Sequence, residues 1–500
     1  MSLDLLKLAS PEAVVVVTVL AVLTTGLATQ GASGLCSAVA ALGLATAIGA
    51  VCMLPPQATL FHGMLVITPL TSLFKIICLS LAFFTVILAR GDRMSRNHGE
   101  YLAMLLLATI GLMLLVGSEE LLMIFIGLEL LGLSLYVMTA FDKTDVRSAE
   151  AGLKYFLFGS TAGAFTLFGL SLIYGVAGTT GLVAIGQKLS AGSAQPLLFA
   201  GIVMTLVGFA FKIAAAPFHL WAPDAYQVAP VPSAAFIASG SKVASFVVLG
   251  KIVLVGFGPV HGSADWHAMV AGWSPVLAVL AALSILVGNL VALAQTNVRR
   301  LLAYSAVAHA GYTLLGLVAG GRDGFSATLF YTTIYAITLI GAFGVVAQVK
   351  RQSGSDRETG GDDIQNFGGL ASRSPLLAGC MSIFMLSLAG LPPLAGFFGK
   401  FYLFSVAMRA GDNHGLLWLV AIALFGSLIS LYYYLIVLKV IFVDEPSPST
   451  TQPLKSACPA RTSTSPDFLQ QVTVTALAIA ILCLGVMPQP LVARILASLP

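Results

Sequence analysis

Apolar runs long enough to cross a bilayer recur from one end of this chain to the other, and that feature narrows its possible folds more than any other. A helix of about 20 apolar residues spans the hydrocarbon, and it can do so because every backbone polar group is bonded within the helix itself. Composition points the same way. Of the 500 residues, 58% are apolar and 9% charged, against roughly 25% charged in soluble domains. Too little polar surface remains to cover a water-soluble body of this length. The expected fold class is an all-α polytopic membrane protein. Glu12 to Ala28 resembles a signal-peptide core, but many equally apolar segments follow it without a convincing cleavage site, so it is read as the first span.

Several functions are excluded at this level. The formal net charge is +4, and the 25 Lys and Arg form no dense basic face interleaved with aromatics, so nucleic acid is not an expected partner. The six cysteines are scattered, without a CxxC pair or a histidine at ligand spacing, which argues against iron-sulfur, zinc and disulfide sites. No Gly-rich nucleotide motif introduces a helix. No cofactor and no metal are expected on this chain.

Parsing by span length predicts about fourteen transmembrane helices, among them segments at 65–89, 196–221, 230–256 and 375–408. The chain divides into an N-terminal three-helix segment (1–99), a first five-helix unit (100–256), a second (272–443), and a polar linker with a last helix (444–500). Interruptions fall in the fourth segment of each five-helix unit. An odd number of helices per unit inverts the second copy in the membrane, the inverted-repeat plan of ion-coupled transporters, each repeat containing a broken helix. The connections on one side carry fourteen of the 25 Lys and Arg, from Arg90, Arg93 and Arg96 through Arg357 to Lys455 and Arg461. The other side carries six: Lys7, Lys188, Lys251, Arg322, Arg409 and Arg494. Positive charge favours the cytoplasmic side, which puts both termini outside.

Charges inside the spans carry the functional argument, since an ionisable group in hydrocarbon costs at least ~2.5–3.5 kcal/mol and needs a partner or a task. Glu129 lies mid-segment in GLELLGLSLY, with no basic residue on its own helix. Its counter-ion must come from another helix. Lys212 lies in GFAFKIAAAPFHLWAPD, where Pro217 removes an amide donor and breaks the helix. The freed backbone groups call for a hydrated pocket. In LAGLPPLAGFFGKFY, Pro392, Pro393 and Gly396 interrupt the run just before Lys400. Lys242 sits in the apolar stretch ASGSKVASFVVLG, and of the seven histidines only His219 and His309 fall within segments.

Simpler readings apply to other residues. Lys75 and Lys154 are expected to snorkel, or, for Lys154, to pair with Glu150 one turn away. The run Tyr432, Tyr433, Tyr434 reads as helix packing, and Glu119 and Glu120 as interfacial caps. His219 is either packed against a carbonyl freed by Pro217 or a proton carrier, and His309 is similarly open.

Burial lowers a lysine's hold on its proton and a nearby carboxylate restores it, so a row of buried lysines suits a proton relay. A sodium site would call for clustered carboxylates and carbonyls instead. The motifs GLELLGLSLY, FKIAAAPFHLWAPDAYQVAPVP, SKVA, ALAQTNVRRLLAYSAVAHAGY and LSLAGLPPLAGFFGKFYLF resemble the subunit N family of bacterial respiratory complex I, the NADH:quinone oxidoreductase. That family comprises antiporter-like, proton-pumping membrane subunits. The resemblance implies that Glu129 and Lys212 are the coupling pair, Lys242 the central relay, and Lys400 the lysine exchanging protons toward one face. It makes His219 and His309 path residues and Lys154 a further lysine near the pair. It also implies membrane-arm partners, an indirect link to a peripheral redox arm where NADH and quinone react, and a place in the bacterial inner membrane. Cation/proton antiporter complexes and membrane-bound hydrogenases share the same core and are the alternative.

The charge asymmetry generates a topology test. Cysteines introduced at Ser355 or within 444–467 should be shielded from membrane-impermeant thiol reagents in intact cells, while one at Gly411 should react; labelling at Ser355 would reverse the orientation.

Overall fold

The computed structural model describes residues 3–28, 33–90, 97–191, 195–352, 362–410, 414–445 and 468–499. Arg93, Arg96, Arg357, Lys455, Arg461, Cys458 and the probe positions Ser355 and Gly411 lie outside the described residues.

A short helix α1 (Leu3–Leu8) leads into the hairpin of α2 (Ser10–Ala28) and α3 (Ser33–Cys52). The chain then forms a small antiparallel ladder, β1 (Ala58–Leu60) with β2 (Leu65–Ile67), before α4 (Pro69–Ala89). The segment expected to be helical from residue 65 therefore begins as a strand. Its helix waits for a capping box, in which the Thr68 hydroxyl accepts from the Thr71 amide at 3.2 Å, and for Pro69 in the first turn. Next come α5 (His98–Gly117), α6 (Leu121–Thr139) and the long α7 (Val146–Ala177). The Glu120 carboxylate caps α6 by accepting from the Met123 amide at 2.8 Å, and Asp145 caps α7 through the Arg147 amide at 2.9 Å.

After a rim helix α8 (Leu182–Ala191), helix α9 (Pro196–Lys212) stops short; α10 (Trp221–Val228), α11 (Val231–Ala238) and α12 (Gly240–Lys251) complete the passage back. Then follow α13 (Trp273–Ala292), α14 (Val298–Ala319), α15 (Gly321–Gln352), the single turn α16 (Leu370–Arg373), α17 (Pro375–Ala389), α18 (Ala395–Arg409) and α19 (Leu417–Phe442). A final span, Phe468–Val486, and a short helix, Gln489–Ser498, end the described chain.

Twelve helices among the described residues are long and apolar enough to cross a membrane, and two shorter apolar ones, α9 and α17, stop at breaks. The segment expected at 375–408 is thus two helices, and that expected at 196–221 is α9 followed by a non-helical stretch, 213–220, that ends where α10 begins. The segment at 230–256 is divided as well, at Ser239, where φ and ψ of −114° and −81° leave the helical region. No proline marks that break. The Ser239 hydroxyl instead bonds back to the Ala235 carbonyl at 2.6 Å, the kind of local competition that bends helices.

Passage Val231–Gly256, α14 and α15 are buried almost throughout and form the centre of the bundle. The rim helices leave one apolar side uncovered, as a lipid or a neighbouring membrane subunit requires. Alternating helix direction puts the α5–α6 connection with Glu119 on one face and the α13–α14 connection with Arg300 on the other. Gln470 of the final span closes one end of α4, donating to the carbonyls of Leu88 at 3.0 Å and Arg90 at 2.6 Å.

Candidate functional site

The first break places Lys212. The Ala214 backbone turns to φ +57°, and Pro217 has no amide to continue a helix. Two of the groups released there are met by protein. The Ala216 amide donates to the Ser284 hydroxyl at 2.8 Å, and the Phe211 carbonyl accepts from the Trp221 indole at 3.1 Å. Trp221 also stacks on Tyr155 with ring centres 4.0 Å apart. These contacts hold the last turn of α9 so that Lys212, itself buried, faces α6. A Cβ on Gly132 would lie 3.4 Å from the Lys212 Nζ and 3.0 Å from the Tyr136 hydroxyl, which places the ammonium against this turn of α6.

Glu129 stands one turn before Gly132. It is half-buried, on a side of α6 whose neighbours Ile126 and Leu133 are exposed. Across from it, a Cβ on Gly163 of α7 would fall 2.6 Å from its carboxylate oxygen. Glu129 and Lys212 lie within electrostatic reach of each other. No direct ion pair joins them among the described residues. The structure places the two charges near one another with the contact open.

Lys242 follows the Ser239 break in the first turn of α12. Its buried ammonium donates to the Ala306 carbonyl of α14 at 2.5 Å and lies 5.4 Å from the centre of the Tyr335 ring. On the same α14, His309 is held by two phenols: Nδ1 to the Tyr331 hydroxyl at 2.7 Å and Nε2 to the Tyr434 hydroxyl at 3.1 Å. Tyr434 bonds Ser305 in turn. His309 is within electrostatic reach of both Lys242 and Lys400.

The second break places Lys400. Gly390 ends α17 at φ +84°, and a Cβ there would meet the Lys400 side chain at 2.9 Å, so only glycine serves both the turn and the approach. The buried Lys400 Nζ donates to the Ala389 carbonyl at 3.1 Å, freed by the break, and to the Ser427 hydroxyl at 3.0 Å. It sits 5.2 Å from the centre of the Tyr312 ring. Asn289 bonds the Tyr312 hydroxyl at 2.9 Å and accepts from Tyr433 at 3.0 Å. Pro392 and Pro393 occupy the connection between α17 and α18.

Other expected residues fall differently. His219 is buried, and its Nδ1 has no partner among the described residues. Lys154 meets carboxylates other than Glu129. Its side chain is 43% exposed and binds Glu150 at 2.7 Å and Asp224 at 3.0 Å, and Asp224 also holds Arg300 at 2.9 Å. Lys75 does not snorkel but is buried against Glu12 at 2.6 Å. Of the tyrosine run only Tyr432 is exposed, whereas Tyr433 and Tyr434 belong to the polar network. Tyr331, Tyr335, Tyr312, Ser305 and Asn289 carried no signal in the sequence, because their contacts join distant helices.

Comparison with known proteins places this geometry in a class. The NADH:quinone oxidoreductase/Mrp antiporter transmembrane family matches residues 118–430, a stretch that includes Glu129, Lys212, Lys242, His309 and Lys400. The chain belongs to that family. NADH-quinone oxidoreductase subunit N 2 of Acidobacterium capsulatum is 46% identical over 84% of this chain and 85% of its own. Subunit N of Moorella thermoacetica is 40% identical over 91% and 89%. Among solved structures, a chain of respiratory complex I from Thermus thermophilus, with bound aureothin, is 32% identical at a TM-score of 0.77, covering 97% of this chain and 98% of that one. A chain of the Mrp complex from a Dietzia species shares the fold, with a TM-score of 0.81 at 22% identity over 99% and 97%.

The phenol network yields a stability test. Tyr434→Phe strands His309 Nε2 and Ser305, at about 1–3 kcal/mol per buried group left unpaired, and should lower the thermal midpoint of the purified complex. Tyr432→Phe, at the exposed neighbour, should not; equal midpoints for both variants would show that the Tyr434 hydroxyl is idle.

Proposed function

We propose that this chain is a proton-translocating membrane subunit of an NADH:quinone oxidoreductase, moving protons through Glu129, Lys212, Lys242, His309 and Lys400 while electron transfer takes place on partner subunits. One observation carries the reading. Lys242 and Lys400, buried in the bundle, are solvated by backbone carbonyls and a hydroxyl and meet no carboxylate among the described residues, and the phenol-bound His309 is within electrostatic reach of both. Such ammonium groups are held well enough to exist and loosely enough to exchange a proton.

The two five-helix units, 100–256 and 272–443, are read as inverted copies, since α5 starts at the Arg300 face and α13 at the Glu119 face. With the Arg300 face toward the cytoplasm, both termini lie outside the inner membrane. The related subunits carry the name of the oxidoreductase, which supports membership of that enzyme complex. This chain contributes proton movement and no redox step.

Glu129 and Lys212 form the switch. Moving one proton against ~150 mV costs about 3.5 kcal/mol at ~2.3 kcal/mol per 100 mV. The driving element must therefore change a carrier's proton affinity by roughly 2.5 pH units. Closing the gap to Glu129 holds the Lys212 proton, and opening it sends that proton, or its repulsion, toward Lys242 on the neighbouring α12. His219, buried with a free nitrogen after the first break, is suited to carry a proton beside this step. Lys154 at the Arg300 face belongs to the entrance rather than to the switch.

A charge-neutral double substitution, Glu129→Gln with Lys212→Met, separates a switch from a static structural pair. The complex should assemble and transfer electrons yet lose this subunit's pumped protons; a normal proton-to-electron ratio would end the proposal.

A further inference from the structure

Two lysines that the relay does not use are buried at the Glu119 face. Lys251 ends α12, and its Nζ donates to the Val116 carbonyl at 2.9 Å and the Ser118 carbonyl at 3.4 Å, with the Glu119 carboxylate 3.6 Å away. Lys75, early in α4, donates to the Glu12 carboxylate at 2.6 Å. A Cβ on Gly117 would sit 3.4 Å from its Nζ. Both ammonium groups thus converge on the last turn of α5, and each has a carboxylate from a different part of the chain behind it. The two lysines are within electrostatic reach of each other.

Capping alone does not call for this arrangement. A lysine at a helix C-terminus satisfies free carbonyls and the negative end of the helix dipole, and one cation suffices. A second buried cation on the same turn adds repulsion and a second desolvation cost. Exposure is graded along the Lys251 branch: its side chain is 5% exposed and that of Glu119 is 33%. Glu119 therefore connects a buried ammonium to the medium on that face. Glu120 beside it, by contrast, is spent on capping Met123.

We infer that Lys251 and Glu119 form the proton-exchange site of the Glu119 face. The inference rests on the relay reading above. In the step, an N–H bond of the Lys251 ammonium breaks and its proton binds the Glu119 carboxylate, leaving a neutral amine and a neutral acid. Glu119 then yields the proton to water and is again a carboxylate. The Lys251 amine is recharged from the interior, where Lys242 occupies the other end of the same helix. Nine residues separate them in the sequence, which is about 14 Å of rise with the side chains leaving opposite sides of α12. Water must carry the proton across that distance. Lys75 stays charged throughout, held by Glu12.

The test uses the assembled complex in sealed vesicles and measures protons moved per electron, with Lys242→Ala as reference. Lys251→Arg keeps the charge and the bonds to the α5 carbonyls but does not give up a proton. Glu119→Gln leaves those bonds in place and removes the acceptor. Both variants should transfer electrons and fall to the Lys242→Ala proton ratio. A wild-type ratio in either variant, with Lys242→Ala impaired, overturns the exchange site and leaves Lys251 as a cap. If Lys251→Arg does not assemble, Glu119→Gln decides alone. A wild-type ratio in Lys242→Ala would instead bring down the relay reading itself.

Discussion

An ammonium group inside a bilayer must be solvated by something the fold provides, and this structure provides mostly backbone carbonyls. Helices consume most of their own carbonyls, so ends and breaks offer the freest ones, although Lys242 takes the Ala306 carbonyl in the middle of α14. Lys400 takes the Ala389 carbonyl at the end of α17, and Lys251 takes those of Val116 and Ser118 around the end of α5. Lys212 lies on the last residue of its own helix, and Lys242 in the first turn after a break. The interruptions of α9, α11 and α17 are thus part of how charge is kept in hydrocarbon. Each break has its backbone groups met by side chains such as Ser284, Trp221 and Ser387, which keeps the cost bearable.

Around these charges the polar groups form short chains rather than a cage. Ser305, Tyr434, His309 and Tyr331 make one, and Tyr312, Asn289 and Tyr433 another. Hydroxyls both donate and accept, so such chains stay satisfied whichever way their protons point. Carboxylates are kept to the ends of the system: Glu129 half-buried on the rim, and Glu12 and Glu119 near one face. A carboxylate in direct contact with Lys242 or Lys400 would hold its proton too firmly for exchange.

The fold class, the approximate number of spans and the residues Glu129, Lys212, Lys242 and Lys400 were legible in the sequence because each is an exception in an otherwise apolar run. Pro217, Pro392 and Pro393 announced two of the breaks. The Ser239 break was not legible, since it depends on a serine bonding back to its own helix and no proline accompanies it. Lys251 counts among the outer-side charges in the sequence although it stands inside the segment expected at 230–256, five residues before its end, and the packing of α12 on α5 buries it. Lys75 and Glu12 are 63 residues apart, and His309 and Tyr434 are 125 apart. Contacts between side chains so distant leave no local pattern. The same holds for Lys154, whose place beside Asp224 follows from the fold of α10 rather than from its own helix.

The proposed switch works only if the gap between Glu129 and Lys212 opens and closes. Structures of the whole complex, trapped at rest and during turnover, measure it directly. A working switch has carboxylate and ammonium in hydrogen-bonding contact in one state and separated in another, with the last turn of α9 or the facing turn of α6 moving between them. The same separation in every state, while protons are being pumped, would contradict it.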